Sequence, residues 1–113
     1  MQTFEVRAWD DAGLHVVEVS GELDMAACDS FREKTARDDA EFVVVDLRRV
    51  SFLDSSGLRE LIDLHRQANL RGIPLAIIRP HGDADSIFRL TGIDGHLPLY
   101  DDKVPVLAEF NFG

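Results

Sequence analysis

The run "EFVVVDL", Glu41 to Leu47, constrains the fold more than any other stretch of this chain. Its apolar residues, Phe42 followed by three valines, neither alternate like a half-exposed strand nor recur at helical spacing. A continuous β-branched run of this kind is a strand buried on both faces, as in sheets whose parallel connections carry helices. "PLAII", Pro74 to Ile78, reads the same way.

The segments around these two strands have other periods. After Gly57, Leu58, Leu61, Ile62, His65 and Ala68 fall at i, i+3, i+4 spacing, with Leu64 widening the stripe. Arg59, Glu60, Asp63 and Arg66 take the opposite side, and Gly72 followed by Pro74 stops the helix. Upstream, "TFEVRAW" alternates: Phe4, Val6 and Ala8 face one way, Thr3, Glu5, Arg7 and Trp9 the other. Asp10 to Gly13 supply a turn, and "LHVVEVS" is a second strand, which gives an antiparallel hairpin. A helix is expected from Met25 to Arg37, supported by Ala26, Ala27, Phe31 and Ala36. Downstream, "DADSIFRLTG" predicts a short helix with Ile87, Phe88 and Leu90 apolar and Gly92 at its end. "LPLY" predicts an edge strand, and Lys103 to Phe110 a last short helix with Pro105 near its first turn.

The resulting order, β-β-α-β-α-β-α-β-α, predicts an α/β fold. It has a mixed sheet of four to five strands, an N-terminal hairpin that leaves an exposed edge, and about four helices covering mainly one face. No repeat, linker or low-complexity tract divides the chain, so residues 1–113 read as a single domain.

Charge and motif content exclude several functions. The chain has 21 acidic against 12 basic side chains, a formal charge of −9. Its Arg and Lys residues are scattered among acids, which predicts neither direct nucleic-acid binding nor membrane binding. No apolar run approaches the ~18 residues that span a bilayer. "MQTFEVRAWDD" lacks the basic and apolar regions of a signal peptide, and the single cysteine, Cys28, suits a reducing cytoplasm as a half-buried apolar residue.

His15, His65, His81 and His96 do not cluster, and the pairs Asp10/Asp11, Asp83/Asp85 and Asp101/Asp102 are turn or cap residues, so no metal and no cofactor are expected. "DSSG" lacks the first glycine of a nucleophile elbow, and no phosphate-binding glycine loop is present, so the chain is not expected to be an enzyme. Asp46 at the end of a buried strand suggests a phosphorelay receiver. The opening hairpin and the missing acidic pair after the first strand argue against it.

The remaining feature is "SFLDSSGLRELIDLH", Ser51 to His65. In its plainest reading Asp54, Ser55 or Ser56 caps the helix that begins near Gly57. The setting suggests more: a serine held rigidly at a helix start, where a phosphoryl group would add about −1.5 to −2 charges beside Asp54.

Three stretches, "VSGELD" (Val19 to Asp24), "VVVDLRRVSFLDSSGL" (Val43 to Leu58) and "IFRLTGID" (Ile87 to Asp94), resemble the STAS domain of bacterial anti-sigma factor antagonists in order and spacing. The resemblance implies a protein that binds an anti-sigma factor, itself a serine kinase, and so releases a sigma factor. It implies Ser55 as the phosphoacceptor whose modification ends the complex, and a serine phosphatase that resets it. Glu22, Asp24, Asp54, Ser56 and Gly57 match the loops that form the family's docking surface. Gly82, Asp83 and Asp85 depart from the family pattern, as does the tail with Pro105, Phe110 and Phe112. The alternative reading is a stand-alone STAS module serving a transporter or signalling scaffold, in which Ser55 is only a cap.

Overall fold

The structure is a computed structural model and describes residues 4–11, 13–37, 39–103 and 106. Five strands form one sheet in the order β1-β2-β3-β4-β5. These are β1 (Phe4–Asp11), β2 (Leu14–Leu23), β3 (Phe42–Leu53), β4 (Leu75–Ile78) and β5 (Leu99–Tyr100). β1 and β2 pair antiparallel; every later pairing is parallel. Helices α1 (Cys28–Thr35), α2 (Ser55–Arg71) and α3 (Ser86–Leu90) occupy the three crossovers. From β2 onward each new strand is added on the same side of the last, and right-handed crossovers stepping one way place their helices on one face.

That face holds the main core. Val17, Val19, Val43, Val45, Leu47 and Ile77 of the sheet meet Phe31 of α1, Leu58, Leu61 and Ala68 of α2, and Phe88 of α3. Among the described residues the other face is covered mainly over β3 and β4, where Phe42, Val44, Ala76 and Ile78 pack with Val106, and Leu14 of β2 and Tyr100 of β5 pack against this cluster. β3 is central and its first six residues are buried, as the valine run predicts. Glu5, Arg7 and Trp9 of β1 are exposed, while Phe4, Val6 and Ala8 are half-buried on the core side. Thr3 lies outside the described residues.

Several element boundaries differ from expectation. The helix expected over 25–37 is a 3-10 turn, Met25–Ala27, followed by α1, which ends at Thr35. Asp24 accepts hydrogen bonds from the N–H groups of Ala26 (3.0 Å) and Ala27 (3.2 Å), which tightens the first turn. Ala36 turns into extended backbone (ψ 91°) and is exposed, so it supports no helix. β2 and β3 also run further than their apolar stretches suggest, through Leu23 and Leu53.

Leu90, expected on the apolar side of α3, is 84% exposed; in a helix of five residues Phe88 alone is fully buried. Of the expected last helix, Lys103 and Val106 are helical, and Pro105, Phe110 and Phe112 lie outside the described residues.

His15 has a structural role that the sequence left open. It is 3% exposed, on the same side of β2 as Val17 and Val19. Its Nε2–H donates to the Lys34 carbonyl at the end of α1 (2.8 Å), and its Nδ1 lies 2.9 Å from Asp10 Oδ1. The hairpin is thereby fastened to a carbonyl in the last turn of α1, where helices leave such groups without an intrahelical partner.

Candidate functional site

Parallel strands bring their C-terminal ends to one side of a sheet, and the loops leaving those ends converge there. The last register pairs of β2 and β3 are Glu22 with Phe52 and Leu23 with Leu53. Asp24 therefore follows one member of a paired couple and Asp54 the other, and each opens a helical segment. The 3-10 turn after Asp24 packs beside the start of α2.

α2 begins at Ser55, two residues before the expected start. Asp54 is the cap: its backbone is extended (φ −101°, ψ −174°) and its Oδ1 accepts from the Gly57 N–H at 2.9 Å. The Asp54 carbonyl accepts the first helical bond, from Leu58 N–H at 3.0 Å. Of the three capping candidates, the carboxylate does the capping. The Ser55 hydroxyl bonds to no described residue, and Ser55 is exposed while Ser56 is half-buried. Glu22, Asp24 and Asp54 are half-buried nearby and make the surroundings acidic.

Gly57 is buried, which separates it from the other residues expected to meet a partner. A Cβ built on it would lie 2.3 Å from the Leu23 carbonyl oxygen and 2.6 Å from Leu53 Cδ1. The first turn of α2 can approach the ends of β2 and β3 only because no side chain stands there.

Two apolar residues that the sequence reading passed over flank the site. Met25 is 76% exposed and Phe52 is 47% exposed. Strand parity gave no clear signal for Phe52: Val50 and Leu53, three residues apart, both enter the core, and the register shift between Gly21 and Glu22 leaves Phe52 turned outward.

A separate cleft of about 350 Å³ lies between α1 and α2, lined by Arg32, Thr35, Glu60, Asp63, Gln67 and Arg71 among others. The Arg32 guanidinium donates to both carboxylate oxygens of Glu60 across it, and no residue of the serine loop lines it. Among the described residues, no three His, Cys, Asp or Glu side chains are grouped to hold a metal ion, and no helix is long and apolar enough to cross a membrane.

The sequence profile of the STAS domain matches residues 5–104. The chain belongs to the STAS domain family. An anti-sigma F factor antagonist from Paenibacillus polymyxa is 30% identical over 101 residues, 86% of each chain. That likeness places this STAS domain among the anti-sigma factor antagonists, which are non-enzymatic regulators.

An anti-sigma factor antagonist from Mycobacterium paratuberculosis is similar in structure, with a TM-score of 0.85 and 27% identity over 96% of this chain and 95% of its own. SpoIIAA of Bacillus, an anti-sigma factor antagonist solved in unphosphorylated and phosphorylated forms, shares the fold. Its unphosphorylated form has a TM-score of 0.75 at 17% identity over 98% of this chain and 99% of its own.

Proposed function

We propose that this STAS domain, unmodified, binds an anti-sigma factor that is a serine kinase and thereby frees a sigma factor, and that phosphorylation of Ser55 ends the complex. The observation that carries the reading is the division of work at the start of α2. Asp54 caps the helix, which leaves an exposed serine hydroxyl without a structural task. Membership among the anti-sigma factor antagonists supplies the class of partner.

The docking surface comprises Glu22, Asp24, Asp54 and Ser56, with Met25 and Phe52 as exposed apolar contacts. Gly57 contributes by letting α2 approach the strands, not by contact. An acidic rim around apolar side chains suits a basic partner surface, with charge setting encounter and orientation.

In the modification step, Ser55 Oγ attacks the γ-phosphorus of ATP bound to the kinase. ADP leaves, and the hydroxyl proton passes to a base of the kinase. The phosphoserine stands at the N-terminus of a 17-residue helix, where unpaired N–H groups favour an anion. Arg59, one turn further on and exposed, is its i+4 neighbour, so the modified chain stays folded. At the docking surface the new dianion adds to three carboxylates and would have to be desolvated to remain in contact. A serine phosphatase removes it. The partners place the protein in the cytoplasm.

The test is incubation with the cognate kinase and ATP, followed by mass spectrometry and a binding titration. Ser55→Ala is expected to bind and to resist phosphorylation, and Ser55→Asp to bind at least about tenfold more weakly, a loss of about 1.4 kcal/mol or more. Ser56→Ala should still accept phosphate on Ser55. Phosphate on Ser56, or equal binding by wild type and Ser55→Asp, would overturn the mechanism and favour a scaffold role.

A further inference from the structure

β1 is the outer strand of the sheet, and β2 is its only strand partner among the described residues. Successive residues of a strand turn their N–H and C=O groups alternately to its two sides. About half of the backbone groups of β1 therefore face outward, without a strand partner among the described residues. Proteins usually blunt such an edge with charged side chains, lysine above all, with proline or with a bulge. The charges of β1 are of both signs, Glu5 and Arg7 ahead of Asp10 and Asp11, so that they can pair with a partner's as well as repel it. The sequence of β1, FEVRAWDD, contains neither lysine nor proline, and its pairing with β2 runs from Phe4 to Asp11 without a register shift. Phe4, Val6 and Ala8 pack against the main core but stay half-buried, so an apolar row is left partly open along the rim.

We propose that this edge pairs antiparallel with the same edge of a second copy, centred on Val6, so that the sheet continues across a two-fold axis. A two-fold axis normal to the sheet keeps core side with core side, so opposed residues share a face and the register can move only in steps of two. Centred on Val6, Phe4 meets Ala8, Val6 meets its twin, and Glu5 meets Arg7 on both sides of the axis. Centring on Glu5 sets that carboxylate against itself, and centring on Arg7 does the same with two guanidiniums. Charge thus selects one register from its neighbours.

Arg7 is prepared for the contact. Its guanidinium lies 5.9 Å from the Trp9 ring centroid and 3.3 Å from Glu18, yet its side chain is 59% exposed. Its fork can serve a second carboxylate. Glu5 is exposed and makes no ion pair among the described residues. The seam is short, so the dimer is weak and its population rises with concentration. The proposal does not depend on the phosphorylation switch.

Sedimentation velocity of the full chain from micromolar to millimolar concentration tests it. Wild type is expected to pass from monomer to dimer. Glu5→Arg alone and Arg7→Glu alone each set like charges across the seam, and each should raise the dimer dissociation constant at least about tenfold. Mixed in equal amounts, the two variants should form a heterodimer, because every opposed pair is again Arg with Glu.

Circular dichroism confirms that each variant is folded; should Arg7→Glu lose its fold, Glu5→Arg alone decides. A wild type that stays monomeric at millimolar concentration would overturn the proposal. So would single variants that dimerise as well as wild type, or a mixture no more associated than its components.

Discussion

At the scale of single residues, the serine loop is a case of three neighbours with separate tasks. Asp, Ser and Ser are all good caps, so their identities alone leave the cap open. Geometry chooses Asp54, because its carboxylate reaches the Gly57 N–H at 2.9 Å. The two positions should then respond differently to truncation. Asp54→Ala is expected to cost about 1 kcal/mol. Ser55→Ala should stay within about 0.5 kcal/mol of wild type, as a surface change that removes no structural bond. Urea unfolding of the two variants checks this, and a larger loss for Ser55→Ala would make the serine the cap. Gly57 shows the limit of motif reading: a glycine between Ser56 and Leu58 looks like part of an exposed signature, and only the folded chain shows the Leu23 carbonyl against it.

At the scale of elements, burial follows periodicity where the element is long. α2 spans 17 residues and buries Leu58, Leu61 and Ala68 from the expected stripe. Leu61, fully buried against the sheet, should cost about 2–5 kcal/mol when cut to alanine. Leu70, off the stripe and 75% exposed on the same helix, should cost little as Leu70→Ala. Urea denaturation of both variants reads the contrast, and similar losses would mean the buried face is misassigned. The hairpin and α2 were legible because each presents at least two full repeats of its period, and the valine strand because an unbroken β-branched run needs cover on both faces. The short α3 was legible as a helix but its buried face was not, and the 3-10 turn at Met25 was not, since one turn of helix samples too few positions to define a face. β2 and β3 outrun their apolar stretches because pairing with each other, not side-chain polarity, carries them to Leu23 and Leu53.

At the scale of the whole molecule, the acids that are buried, Asp46 and Glu60, are met by local pairing with Arg48 and Arg32. Asp46 is 5% exposed in the middle of the sheet. Burial pushes its carboxyl up, but hydrogen bonds from the Arg48 guanidinium and backbone N–H, with the charge of Arg48, outweigh this and hold it below the usual carboxylate range. A carboxyl held lower in the folded state than in the unfolded one stabilises the fold above its unfolded value, about 3.9. That stability is lost as pH falls through the folded value. Urea unfolding followed from about pH 5 down to about pH 3 should therefore show a decline in stability that is shallower in Asp46→Asn. Equal slopes would mean that other carboxylates dominate the acid limb. Asp10 and Asp39 are also held low, chiefly by hydrogen bonds from Arg37, but they are exposed and screened.

The sequence by itself determined the α/β order, the central place of Phe42 to Leu47, the buried stripe of α2 and the candidate serine. Each of these is a local property, in which residue type and spacing along the chain carry the physical constraint. The tertiary structure alone decided where two loops thirty residues apart would meet. It set Asp24 and Asp54 after the paired residues Leu23 and Leu53, gave the cap to one side chain, and buried Gly57 while exposing Met25 and Phe52. Those outcomes depend on strand register and on the approach of α2 to the sheet. Register arises from contacts between segments distant in sequence, which no single segment encodes.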